Sequence, residues 1–235
     1  DYEEQYVLIG GAACDILFES NEVNFRATRD LDMVLIVEAL TPEFGEKFWE
    51  FIVDGKYRNK ATNGSNPQFY RFDKPEDDNF PKMMELFCRS DFKLKNAKGI
   101  TPIHIDDEVS SLSAILLNDD YYKALLNGKE VRNGLSVLRP EYIILFKAKA
   151  YLDLQKQKDL GEKVDSSDIK KHKKDILRIA SELMLEKVEE LPIAVDADIH
   201  SFIDLLEQEP FDQNSLKRYG LKNEEIVELL KQVFG

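Results

Sequence analysis

Tyr6-Val7-Leu8-Ile9 is a short apolar run with the length and branching of a buried strand. Gly10-Gly11 interrupts it. Ala12 to Phe18 is apolar at most positions and predicts a helix. Glu19 to Thr28 is polar and reads as a loop. Leu31 to Val37 is nearly all apolar, as expected of a central strand covered on both faces. Thr41-Pro42-Glu43 pairs a capping threonine with a first-turn proline, which predicts a helix to about Val53 that stops near Gly55. Asn63-Gly64-Ser65-Asn66-Pro67 is a turn cluster. Gln68 to Asp73 and Lys82 to Arg89 read as strands, with an acidic loop between them. Ser90 to Gly99 reads as a loop, Thr101 to Leu117 as strand pieces, and Asn118 to Leu126 as a helix. Asn133-Gly134, inside Val131 to Val137, signals a hairpin.

The character changes at Pro140. Pro140 to Gln157, Ser166 to Leu185, Asp196 to Glu207 and Asn223 to Phe234 all carry helical patterns, and no strand pattern returns. The expected class is therefore α+β: a mixed sheet with flanking helices in residues 1–139, followed by an all-helical half in residues 140–235. There is no internal repeat and no low-complexity tract.

Composition narrows the class. At 43% apolar and 33% charged, the chain of 235 residues reads as soluble and globular, and no apolar run is long enough to span a bilayer. The acidic opening Asp1-Tyr2-Glu3-Glu4 lacks the form of a signal peptide, and the missing initial methionine leaves room for residues upstream. Cys14 and Cys88 sit in separate apolar contexts without zinc-ligand spacing, so two buried thiols in a reducing cytoplasm are expected. The net charge of −13 repels nucleic acid at long range, so an RNA partner would need a local basic surface. Lys170-Lys171-His172-Lys173-Lys174 is the best candidate for one, although such runs are usually solvated faces. His172 is expected on that exposed face, while His104 and His200 have no neighbours that suggest chemistry.

One constellation suggests a site. A buried strand leads into Gly10-Gly11 and a helix, and after a loop Asp30-Leu31-Asp32 opens the next strand. Glycines at a strand-to-helix junction admit close approach of a ligand, and the N–H groups of the helix start favour an anion such as a triphosphate. Alternate strand residues share a face, so Asp30 and Asp32 offer hard oxygen ligands for one or two magnesium ions. The pattern is neither a dinucleotide-binding fingerprint nor a Walker loop.

Leu8-Ile9-Gly10-Gly11-Ala12-Ala13, followed by Arg26-Ala27-Thr28-Arg29-Asp30-Leu31-Asp32, resembles the nucleotidyltransferase superfamily. Within it, the chain is most similar to the AbiEii-type group of type IV toxin–antitoxin and abortive-infection toxins. Lys147, in Pro140 to Ala150, and Asp175, in Lys171 to Ile176, extend the resemblance over about residues 6 to 180. It implies that Gly10 and Gly11 hold a triphosphate, that Asp30 and Asp32 bind metal, and that Arg26 pairs with the acids or contacts phosphate. Thr28 would help shape the turn. The resemblance also implies a third carboxylate on a later strand. Glu85, a lone acid in an apolar strand, is the choice, with Asp106 and Asp107 as runners-up. Lys147 would neutralise phosphate, with Lys149 competing for that role, and Asp175 would orient the nucleotide or the acceptor hydroxyl. The chemistry is expected in the cleft between the halves. Gly11 stands where many members have a serine, and the spacer to Asp30 is long.

The implied function is transfer of a nucleoside monophosphate from a triphosphate to a hydroxyl on RNA, tRNA or protein, with an antitoxin as possible partner. Two alternatives compete with it. One is a module that binds nucleotide without turnover. The other is a small-molecule enzyme of the aminoglycoside-modifying kind, which an acidic surface would suit.

Overall fold

The computed structural model describes residues 2–19, 30–59, 69–88, 115–116 and 118–235. They form a mixed α/β structure. The chain divides into two compact units: residues 1–106 with 129–138, and residues 107–128 with 139–235.

The first unit is built on a sheet. Its strands are β1 (Tyr6–Ile9), β2 (Asp30–Leu35), β3 (Arg58–Asn59), β4 (Phe69–Asp73), β5 (Met83–Cys88), β6 (Lys129–Arg132) and β7 (Leu135–Leu138). They lie in the order β3-β4-β5-β2-β1-β7-β6. β2 occupies the centre, antiparallel to β1 and parallel to β5. Met33, Val34 and Leu35 are buried in succession, because a central strand is covered on both faces. β2 ends at Leu35, two residues short of the expected Val37, and Val37–Ala39 forms a single 3-10 turn.

Helix α1 (Gly10–Glu19) begins directly at the end of β1 and packs against β1 and β2. Helix α2 (Pro42–Asp54) starts as expected: the Thr41 hydroxyl accepts the Phe44 N–H at 3.3 Å, and Pro42 fills the first turn. It ends at Gly55. Its rings cover the sheet face that carries Tyr6 and Phe72, with Phe44 against Tyr6 and Phe48 and Trp49 against Phe72. The β6–β7 hairpin turns on Asn133 (φ 52°) and Gly134 (φ 76°), the paired positive values that an Asn-Gly turn supplies. β7 then joins the sheet by pairing parallel to β1.

The second unit is helical: α3 (Asp119–Asn127), α4 (Pro140–Asp159), α5 (Ser166–Glu182), α6 (Ile193–Gln208), α7 (Gln213–Tyr219) and α8 (Asn223–Phe234). The first half of α4 is buried almost all round, and the helix packs against α3, α5 and α6, while α8 closes over α5 and α6. Side-chain oxygens of Asn118, Asp165 and Asp212 cap α3, α5 and α7.

Several expectations change. Helix α3, expected in the front half, packs with the rear helices, and the hairpin that follows it returns to the sheet. Ile115 and Leu116 are helical rather than strand, and the rest of Thr101 to Ala114 lies outside the described residues, as does Ser90 to Gly99. α5 stops at Glu182, earlier than the expected Leu185, and α6 begins at Ile193, directly after Pro192. The seven-residue α7 and the two-residue β3 were not expected. His172 is buried, not exposed: it shares the inward stripe of α5 with Ile169, Ile176 and Ile179. Among the described residues no helix is long and apolar enough to cross a membrane.

Candidate functional site

Strand pairing places three charged residues of the sheet in one row. Asp32 of β2 lies opposite Glu85 of the parallel β5. Glu85 lies opposite Arg71 of β4, and Asp32 lies opposite Ile9 at the end of β1. Paired residues on neighbouring strands share a face, so Arg71, Glu85 and Asp32 stand side by side. α2 covers the other face.

Gly10 closes the end of this row. Its φ is +59°, a left-handed conformation that a side chain would strain. A Cβ built there would stand 2.3 Å from Oδ2 of Asp32. Glycine is thus required twice, by the backbone turn and by the carboxylate seated against it. The expected link between the glycine pair and the Asp-x-Asp strand is a direct contact at Gly10 and Asp32. Gly10 and Gly11 are both half-buried at the start of α1.

Glu85 is 5% exposed. The Arg71 guanidinium donates to its Oε1 from Nε at 2.7 Å and from Nη2 at 2.5 Å. Burial, reinforced by the negative charge of Asp32, pushes the Glu85 carboxyl up to about 7, with Arg71 working in the opposite direction. Burial and the neighbouring Asp32 charge thus both favour the protonated form of Glu85.

Asp30 is exposed at the start of β2 and pairs in register with Met83, one pleat beyond the Asp32–Glu85 pair. Among the described residues, no three His, Cys, Asp or Glu side chains come together as a metal cage. The oxygen donors that are present nonetheless suit magnesium. It takes one or two carboxylates and draws its other ligands from water and phosphate. Asp32 and Glu85 would hold such an ion, with Asp30 nearest along β2.

The second unit brings together the other two expected residues. Lys147 of α4 and Asp175 of α5 form an ion pair at 2.6 Å, with the lysine 13% and the aspartate 32% exposed. Arg178, on the same helix, pairs with Glu182 at 2.9 Å. Lys149 belongs to a different network: it reaches Asp153 at 2.9 Å and Asp198 at 3.3 Å, and Asp198 also accepts the Tyr121 hydroxyl at 2.9 Å. Burial disfavours the Lys149 charge, but the two aspartates outweigh it and raise its pKa. Lys147 and Lys149 are thus both held by carboxylates, Lys147 the more buried of the two.

In the basic run, Lys170, Lys171 and Lys174 are exposed. Lys173 is drawn inward, donating to the Glu209 carbonyl at 2.5 Å between the rings of Tyr151 and Phe211. His200 is exposed, with Nδ1 2.8 Å from the Asp196 carbonyl oxygen. Arg26, Thr28, Arg29, His104, Asp106 and Asp107 lie outside the described residues. Arg71 was missed in the sequence, although its signal was there: one cation in the apolar strand Phe69–Asp73, matching one acid in β5.

The chain matches no family model and no curated protein.

Proposed function

We propose that this chain has a nucleotidyltransferase-type fold and moves a nucleoside monophosphate from a triphosphate to a hydroxyl acceptor, with magnesium as cofactor. The observation that carries the reading is the row across the sheet: Asp32 beside Glu85 on parallel strands, with the Gly10 backbone seated against the Asp32 carboxylate.

Each residue has a physical task in this reading. Asp32 and Glu85 hold the cation, and Asp30 completes the acidic edge of β2. Magnesium bound there supplies charge to the triphosphate and acidity to the attacking hydroxyl. The N–H groups of Gly10 and Gly11 at the start of α1 face the phosphates. Lys147, ion-paired with Asp175, keeps the phosphate-neutralising role that the resemblance implies for it. The acceptor class is RNA, tRNA or protein, in a toxin-like protein of the reducing cytoplasm with an antitoxin partner. The exposed lysines of α5 are the basic surface that an RNA acceptor requires.

The second reading is a module that binds nucleotide without turnover. Triphosphate binding measured with and without magnesium, in parallel with pyrophosphate release, separates the two. Transfer predicts magnesium-dependent binding and release, both lost in Asp32→Ala. Binding with no release supports the module. No binding at all rejects both.

A further inference from the structure

Arg71 is the residue of the row that the proposed reaction has not used. Three features set it apart. It lies in register with Glu85. It holds one oxygen of Glu85 from two nitrogens, at 2.7 and 2.5 Å. Its side chain is 22% exposed, whereas that of Glu85 is 7% exposed. Arg71 is therefore the more accessible member of this ion pair. A guanidinium binds a phosphate in the same forked manner as a carboxylate, so a phosphate is a competent rival for it.

We propose that Arg71 gates the carboxylate pair: it holds Glu85 against a metal ion until the phosphates of a nucleoside triphosphate draw the guanidinium away. The inference rests on the reading of Asp32 and Glu85 as the metal site. A divalent ion between these carboxylates meets a positive charge already bonded to one of them. That charge weakens the ion's binding by repulsion and by occupying a ligand oxygen. A triphosphate carries several negative charges and removes both obstacles at once. The gate thus makes metal binding depend on nucleotide and protects the acidic pair from loading a metal alone.

Manganese is the probe, since its free ion is counted directly by electron paramagnetic resonance. It is titrated into the intact protein, alone and with a non-hydrolysable triphosphate analogue. The wild type binds manganese weakly alone and much more tightly with the analogue. Arg71→Gln binds manganese alone about tenfold more tightly than wild type, and its gain from the analogue is smaller than that of the wild type by the same factor. Arg71→Lys keeps the charge and stays close to wild type, and Trp49 fluorescence checks that both variants fold. Equal manganese affinity in wild type and Arg71→Gln overturns the gate while leaving the metal site standing. Weaker binding in Arg71→Gln also overturns it, because the arginine then supports the ion. If neither protein binds manganese, and Asp32→Ala behaves identically, the metal reading fails and the gate falls with it.

Discussion

Glu85→Gln, read through the pH dependence of stability, probes the carboxylate pair without any substrate. In the fold the Glu85 carboxyl titrates near 7, against an ordinary value of 4.5. A carboxyl raised in the fold binds its proton more tightly in the native than in the unfolded state. Below the ordinary value both states are protonated, and the group has no effect. Between 4.5 and about 7 the unfolded state releases its proton first, so stability falls as pH rises, and above about 7 the loss is complete. The interval corresponds to about 3 kcal/mol, most of it between roughly pH 5 and pH 8. Glutamine keeps the size of the side chain and has no proton to lose. The assay is urea unfolding with a chelator present, followed by fluorescence. Trp49 is the only tryptophan in the chain. Its ring lies 6.0 Å from that of Phe72, whose backbone pairs with Met84 beside Glu85, so the signal reports on the sheet unit. Across that pH range the wild type loses about 2–3 kcal/mol more stability than Glu85→Gln. Parallel curves for the two proteins would refute the reasoning, because they would mean that Glu85 is ionised in the fold without penalty.

Other substitutions test the remaining contacts. Gly10→Ala places a methyl group against Asp32 in a left-handed backbone, and should lower stability by about 2 kcal/mol or more in the same urea assay. Asp175→Ala leaves Lys147 largely buried without its carboxylate, and should cost about 1–3 kcal/mol by thermal unfolding, with Lys147→Met restoring part of the loss. Tyr121→Phe removes one donor to Asp198 but leaves Lys149 in place, so a loss of about 1 kcal/mol is expected by calorimetry.

Local signals carried much of the fold. The apolar run of β1, the glycine break and the helix after it are set by neighbouring residues. So are the Thr41-Pro42 helix start, the Asn133-Gly134 turn and the limits of α8 at Asn223 and Phe234. Long-range pairing was less legible. Nothing near Leu135 says that β7 will lie parallel to β1, and nothing near Asp119 says that α3 will pack on α6. Short elements escaped for lack of period. α7 spans only seven residues, although its Asp212 cap and its left-handed Gly220 were both readable. His172 was misplaced because four lysines around it masked an inward stripe that runs every three or four residues. For the site, the lone acid in β5 was legible because a buried charge demands a partner. That Arg71 is the partner required knowing which strands pair.

The central claim is tested most directly by transfer itself. Radiolabelled triphosphates, labelled at the α-phosphate, are offered with magnesium to total RNA and to protein lysate. The account predicts that the intact protein places label on one acceptor class, that a chelator stops it, and that Asp30→Ala and Asp32→Ala each abolish it. Transfer that continues unchanged in folded Asp32→Ala would contradict the account, as would an intact protein that neither labels an acceptor nor binds triphosphate with magnesium.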